Sequence, residues 1–192
     1  MKKLKEATSK QHEELEDTVD IMNRMFSRED YRNLLEKFRR FYAAIEPKIA
    51  AVDLERFGMD FEKRRKTALL ENDLKSLDDS QNADHNASEF IDLPNLSTPS
   101  RAFGSLYVLE GATLGGQVIT RHLKQHLDIT PENGGMFFNS YGAEVGPMWK
   151  SFAETITRFA EETDDDDSIV EAARETFDSF RRCMLENKAA AL

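Results

Sequence analysis

Cysteine, proline and glycine are scarce in this chain. One cysteine, five prolines and nine glycines occur among 192 residues. The lone Cys183 cannot form an internal disulfide, which favours a reducing compartment and a cytoplasmic location. Two lysines follow Met1, but no apolar stretch comes after them, so we expect no secretory signal. No apolar run approaches the roughly 18 residues that a membrane-spanning helix requires, and we expect no membrane partner.

Positive charge is also in short supply. Lysine and arginine number 26 against 36 aspartates and glutamates, which gives a net charge of −10 at pH 7. This balance argues against a nucleic-acid partner, because neutralising phosphates needs a concentrated basic surface. Basic clusters at 2–5, 39–40 and 63–66 are candidates for a local rim around an anionic ligand, or for an ordinary solvated face.

Helical periodicity is what the sequence has in quantity. Few helix breakers occur, and apolar residues recur at intervals of three and four over long stretches. We predict one all-α domain over residues 1–192 with about seven helices, no strand and no internal repeat. The predicted helices span about 2–25, 59–77, 98–126, 141–162 and 166–187, and a further helix begins at 27 and either ends at Pro47 or bends there. A polar loop is predicted at 78–86 and a turn at 131–135.

Glycines interrupt one of these helices. Gly111, Gly115 and Gly116 fall within six positions, and each costs about 0.5–1 kcal/mol relative to alanine in a helix interior. Gly104, Gly111 and Gly115 are spaced seven and four apart, so they form one stripe along the helix. A stripe without side chains lets the backbone approach either another helix or a planar ligand. The spacing leaves both open.

Four histidines are candidate metal ligands. His85 falls in the polar loop, and His122 and His126 lie one turn apart, where we expect ordinary helix-face residues. His12 differs because Glu16 follows four residues later on the same helix face. A metal-bound imidazole usually donates its other ring N–H to such an acceptor, although the same pair is common on helix surfaces.

Several motifs together resemble the heme oxygenase family, and they follow its order over nearly the whole chain. Residues 4–16 are similar to the proximal-helix signature, and residues 111–118, with their L-G-G-Q-V core, are similar to the glycine-rich distal helix. Further similar segments are 65–69 with 72–74, Phe137-Phe138 with Tyr141-Gly142, 146–149 and 173–177. The last three resemble the bacterial branch found beside bacteriophytochromes.

The resemblance implies a site in which heme lies between the proximal and distal helices. It makes His12 the proximal iron ligand and Glu16 its partner, and it places the backbone of the distal glycines against the ligand on the other side of the iron. The other positions that it implies near heme are Lys5 and Lys150 at the propionates, Tyr42 in the distal hydrogen-bond network, Gly111, Ala112, Gly115, Gly116 and Gln117 on the distal helix, and Phe177 beside the macrocycle. Tyr107, on the same helix as the distal glycines, is a further candidate for contact with heme. For Tyr42 and Phe177, packing in the core is an equally good interpretation.

One position departs from the animal members of the family. They carry an aspartate directly after the first distal glycine, where it organises waters that deliver protons, and this chain has Ala112 there. Thr113, Tyr42 and Tyr107 are the candidates for holding the waters instead.

The implied reaction converts heme (heme b) with O₂ and external electrons to biliverdin, carbon monoxide and ferrous iron. The chain has no flavin or nucleotide motif, so a ferredoxin or flavin reductase is the expected electron donor, and a bacteriophytochrome is a possible acceptor of biliverdin. A carrier or sensor of heme or biliverdin on the same fold is the alternative that Ala112 keeps open. A helical interaction module is a further alternative. A di-metal oxidase is disfavoured, because no histidine has a glutamate three residues before it.

Overall fold

The computed structural model describes residues 1–24, 27–77 and 92–186. These residues form six α-helices of at least eleven residues, two single-turn helices and four 3-10 turns, without a strand, so the all-α prediction is confirmed. The helices are α1 (Lys2–Val19), α2 (Ile21–Arg24), α3 (Arg28–Ala50), α4 (Thr67–Leu77), α5 (Pro99–Leu127), α6 (Met136–Asn139), α7 (Val145–Thr163) and α8 (Asp166–Leu185). The 3-10 turns are Glu55–Phe57, Glu62–Arg64, Pro131–Asn133 and Gly142–Glu144.

Two predicted helix starts have the expected caps. The Ser27 hydroxyl accepts a hydrogen bond from the backbone N–H of Asp30 at 3.0 Å, which begins α3. Thr98 accepts from the backbone N–H of Arg101 at 3.4 Å, and Pro99 occupies the first turn of α5. Each cap satisfies a backbone donor that the helix itself leaves without a partner.

Other boundaries differ from the prediction. The first helix ends at Val19 because Asp20 adopts a left-handed conformation (φ 39°) and its N–H bonds to the carbonyl of Glu16 at 2.8 Å. For Pro47 the prediction left two outcomes open, and the structure excludes an end there: α3 continues through Pro47 to Ala50, and this last turn carries the fully buried Ile49.

The remaining boundaries shift by a few residues. The third predicted helix begins only at Thr67, because Arg65 is extended (ψ 141°). The helix predicted from residue 141 begins at Val145, and the short α6 was not predicted at all. The loop predicted at 78–86 and the end of the last helix at 187 lie outside the described residues.

The last helix, α8, lies at the centre of the fold, and α1 runs along it in the same direction. Three contacts show this, because the residue numbers rise together along both helices. Lys3 Nζ lies 3.0 Å from Asp166, Arg174 Nε donates to the Ala7 carbonyl at 2.7 Å, and Arg181 lies 3.7 Å from Glu14. Aromatic packing joins α8 to α3, where the rings of Phe41 and Phe180 stack at 4.3 Å. Cys183 is buried in this core.

The long α5 also packs on α8 in the same direction. Ser100 lies beside Asp165, and Ser105 and Thr176 share a hydrogen bond of 2.6 Å. Between them, a Cβ on Gly104 would overlap the carbonyl oxygen of Ile169, so only glycine allows the two backbones to lie this close. No helix within residues 1–24, 27–77 and 92–186 is both long and apolar enough to cross a membrane.

Candidate functional site

His12 lies on the outer side of α1, where its ring has two neighbours. Its Nδ1 lies 3.3 Å from a carboxylate oxygen of Glu16, and the side chain is 54% exposed. The ring edge packs against Phe177 of α8, with centroids 5.8 Å apart and an interplanar angle of 74°. With Nδ1 facing Glu16, Nε2 is the ring nitrogen that a metal would meet, which is the arrangement typical of a metal-bound histidine.

The helices α1 and α5 meet one turn before this histidine. The hydroxyl of Tyr107 on α5 lies against that of Thr8 on α1, and burial raises the pKa of Tyr107. Because both helices run in the same direction along α8, the next turn of each brings His12 and Gly111 to the same side of the molecule. The Trp149 ring of α7 flanks this junction at 5.9 Å from the Tyr107 ring.

The glycines of α5 divide into two kinds. A Cβ on Gly116 would overlap the carbonyl oxygen of Phe138, so this glycine, like Gly104, serves close helix packing. A Cβ on Gly111 would have only Trp149 nearby, at 4.0 Å, and one on Gly115 would meet nothing within 4 Å. The predicted stripe is therefore split: Gly104 lies against α8, whereas Gly111 and Gly115 leave bare backbone facing open space.

The side of α5 that carries Gly115 is also apolar and exposed. Leu114 and Val118 are 45% and 49% exposed, and Ala112 is exposed as well. Large exposed apolar side chains on one helix face are typical of a ligand-binding surface. Thr113 points the other way: it is buried, and its hydroxyl donates to the carbonyl of Glu110 at 2.7 Å. We therefore do not assign Thr113 a part in holding distal waters.

Two further predicted site residues serve packing in the structure. Tyr42 is 1% exposed inside the aromatic core, 5.3 Å from the Phe137 ring, and burial raises its pKa above the usual range. Gln117 donates from its amide to the carbonyls of Asn139 and Gly142, at 3.4 and 3.3 Å, and so ties α5 to the segment after α6. These contacts account for both residues without a ligand.

The predicted propionate lysines are both exposed. Lys5 lies two turns before His12 and therefore on the same face of α1. Lys150 follows Trp149 on α7, and its side chain is 78% exposed, with Glu154 at 3.9 Å.

The remaining histidine pair makes a local contact. The rings of His122 and His126 stack at 4.2 Å, and Nδ1 of His126 lies 3.0 Å from the carbonyl oxygen of His122. In the part of the chain that the structure describes, no group of three or more histidine, cysteine, aspartate or glutamate side chains is placed to hold a metal ion. His85 lies outside those residues.

A buried ionic cluster behind Gly111 was missed by the sequence analysis. Glu110 is 1% exposed and accepts from Arg64 at 2.5 Å and from the Tyr141 hydroxyl at 2.7 Å. Lys66 is 3% exposed and donates to the same hydroxyl at 2.6 Å; burial lowers the pKa of Lys66 to about 8, against the attraction of Glu110 and Glu46. The interpretation of 63–66 as a basic rim or solvated face is therefore wrong for Arg64 and Lys66. The one signal of this cluster in the sequence was Glu110, a charged residue that directly follows the apolar run 106–109.

Comparison with known proteins identifies the family of this chain. A family model described as heme oxygenase matches residues 1–186. The chain belongs to the heme oxygenase family. Among solved structures, it is similar to the heme oxygenase of Neisseria meningitidis studied with NO and CO bound, at 22% identity and a TM-score of 0.77, over 98% of this chain and 94% of that one. It is also similar to the heme oxygenase of Leptospira interrogans, at 17% identity and a TM-score of 0.73, over 94% and 96% of the two chains.

The two solved heme oxygenases establish the fold, and the family match establishes the membership. No curated protein matches this chain. Membership in the heme oxygenase family supports a heme-degrading oxygenase as the general activity and heme as the substrate. The bacteriophytochrome-associated branch stays a prediction from the sequence.

Proposed function

We propose that this protein binds heme through His12 and cleaves it, with O₂ and external electrons, to biliverdin, carbon monoxide and ferrous iron. The observation that carries the proposal is the half-exposed imidazole, with Nδ1 held 3.3 Å from Glu16 and its edge on Phe177, on the side of the fold where α5 offers bare glycine backbone. Either feature alone is common in helical proteins, and the proposal depends on their occurrence on the same side of the fold.

The residues present suit a flat, largely apolar, anionic ligand. Gly115 leaves space beside the α5 backbone, and the exposed Leu114 and Val118 offer apolar surface that burial against a porphyrin would stabilise. Lys5, on the same face as His12, would pair with a propionate. Bound heme supplies the iron that activates oxygen, and the chain supplies orientation and protons.

Three groups of this chain have distinct tasks in the proposed reaction. Glu16 would accept a hydrogen bond from Nδ1–H of His12, which would fix the tautomer and leave Nε2 free to bind the iron. The backbone at Gly111 and Gly115 presents no side chain on the distal side, which would leave room there for heme and a small ligand. Tyr107 is only partly buried and its hydroxyl lies at the junction of the two helices, whereas Tyr42 and Thr113 are buried. Of the three candidate hydroxyls, we therefore assign to Tyr107 the ordering of distal water that Ala112 cannot provide.

Hemin titration tests the proposal, with His126→Ala as the matched control for His12→Ala. His126 is an exposed histidine near the end of α5, where its ring stacks on His122. We expect a Soret band that saturates at one equivalent in the wild type and in the control, and a lost or displaced band in His12→Ala. Reduction in air, with a ferredoxin or flavin reductase as the predicted donor, should then replace the Soret band with biliverdin absorbance.

A carrier or sensor of heme is the second candidate, and the exposed Ala112 is the observation that favours it. A wild-type complex that binds hemin through His12 but never turns over, even with a competent reductase, would decide for it. No hemin binding at all would refute both candidates.

A further inference from the structure

Three segments of the chain meet at the buried cluster behind the glycine stretch of α5. Arg64 and Lys66 come from the segment before α4, Tyr141 from the loop before α7, and Glu110 from α5 itself. Arg64 also donates to the carbonyl of Met148 at 3.3 Å. The carboxylate at the centre belongs to the residue directly before Gly111.

The hydrogen bonds of this cluster lead from Lys66 and Arg64 to the carboxylate of Glu110. Lys66 Nζ donates to the Tyr141 oxygen at 2.6 Å, and the Tyr141 hydroxyl donates to one oxygen of Glu110 at 2.7 Å. Arg64 donates to the other oxygen at 2.5 Å, and Lys66 also donates to the Arg64 carbonyl at 2.7 Å. Both carboxylate oxygens of Glu110 therefore have charged or polar donors, which is what a buried charge requires.

The position of Glu110 matters because the helix beyond it is weak. Gly111, Gly115 and Gly116 raise the conformational entropy that this stretch loses on folding, and the first two have almost no neighbours on their open side. Packing from the open side therefore does little to hold the backbone at Gly111. Gly116 and Gln117 tie the far end of the stretch to α6 and the segment after it, and the carboxylate of Glu110, bound from behind, holds the end at Gly111.

We propose that Glu110 is a positioning residue, which acts through Arg64 and Tyr141 to hold the Gly111–Gly115 backbone at the separation from α1 that heme requires. The heme part of this statement rests on the proposed function. The anchoring part concerns the heme-free chain and is tested there. Lys66 supports the anchor by orienting the Tyr141 hydroxyl towards the carboxylate.

The competing interpretation is that the cluster stabilises the fold as a whole and has no particular effect on α5. Glu46→Gln is the matched control, because Glu46 is equally buried, at 1% exposure, and lies on α3. It accepts from the Lys66 backbone N–H at 2.5 Å and from the Thr67 hydroxyl at 2.7 Å. Glu110→Gln and Glu46→Gln thus remove the same charge at the same burial from two different helices.

The first measurement is amide hydrogen exchange of the heme-free protein. We expect Glu110→Gln to accelerate exchange in residues 108–118 by at least about tenfold relative to the rest of α5 and to α8, because a local opening has become easier. We expect Glu46→Gln to leave the ratio between 108–118 and α8 as in the wild type. Equal ratios in the two variants would overturn the proposal.

The second measurement is the C–O stretching band of the reduced, CO-bound complex formed with hemin. A backbone held at one separation gives a single narrow band, so Glu110→Gln should broaden or split it while Glu46→Gln leaves it unchanged. A narrow, unshifted band in Glu110→Gln would count against the positioning role even if stability falls.

Tyr141→Phe keeps the test decisive if Glu110→Gln does not fold. It deletes one hydroxyl and leaves Arg64 bound to the carboxylate, and we expect a smaller acceleration confined to 108–118. No such acceleration in Tyr141→Phe would overturn the proposal. Failure of the anchor and failure of the proposed function give different results. If the protein binds hemin but Glu110→Gln leaves exchange of the heme-free protein unchanged, only the anchor is refuted. If Glu110→Gln accelerates exchange but the wild type binds no hemin, the proposed function is refuted and the anchor stands.

Discussion

The two adjacent glycines of α5 are expected to respond to alanine in opposite ways. In a helix interior, alanine is favoured over glycine by about 1 kcal/mol at either position. At Gly115 nothing lies within 4 Å of the added Cβ, so the heme-free protein should gain about 0.5–1 kcal/mol. At Gly116 the same atom overlaps the carbonyl oxygen of Phe138 and comes within 3.2 Å of its carbonyl carbon. Two backbones must separate there, which costs on the order of 2–3 kcal/mol and exceeds the propensity gain.

Thermal unfolding of the heme-free variants measures this difference. For a chain of this size, 1 kcal/mol corresponds to roughly 2–4 °C, so we expect Gly115→Ala to unfold slightly above the wild type and Gly116→Ala several degrees below it. Hemin affinity should fall in Gly115→Ala despite its greater stability, because the new methyl group occupies space beside the open backbone. Equal melting temperatures for the two variants would refute the division of the glycines into packing and site positions. Unchanged hemin affinity in Gly115→Ala would refute the proposal that the Gly115 face of α5 binds heme.

Three further predictions test single contacts. Burial raises the pKa of Asp73 to about 6, although it accepts from the first backbone N–H groups of α6. The folded state therefore binds more protons than the unfolded state between about pH 4 and 6. As pH rises through this range, the free energy of unfolding of the wild type should fall by up to about 3 kcal/mol relative to that of Asp73→Asn, as measured by urea unfolding. Thr98→Ala should lower the melting temperature by roughly 2–4 °C through loss of the α5 cap, and an unchanged value would contradict the cap. Glu16→Gln should weaken hemin binding about tenfold, because the partner of His12 is changed. Its stability should stay within about 0.5 kcal/mol of the wild type, because the side chain is exposed. Lost stability with unchanged hemin affinity would contradict the role of Glu16 in hemin binding.

Features encoded by neighbouring residues were predictable from the sequence. The caps at Ser27 and Thr98, the helical class and the pairing of His12 with Glu16 each depend on side chains within one helical turn of one another. The break at Asp20 was not predictable in this way, because a left-handed residue other than glycine leaves little trace in composition.

Pairings between distant segments account for what the sequence did not reveal. Arg64 and Lys66 look like surface residues in isolation, since such side chains are almost never fully buried unless they are paired. Their partner is Glu110, about 45 positions away, and neither end of that pairing has a local signature. The glycines illustrate the same limit, because Gly115 and Gly116 are indistinguishable in sequence. The carbonyl of Phe138 on α6 makes Gly116 a packing residue, whereas no such group lies beside Gly115, whose backbone is left open for the proposed ligand.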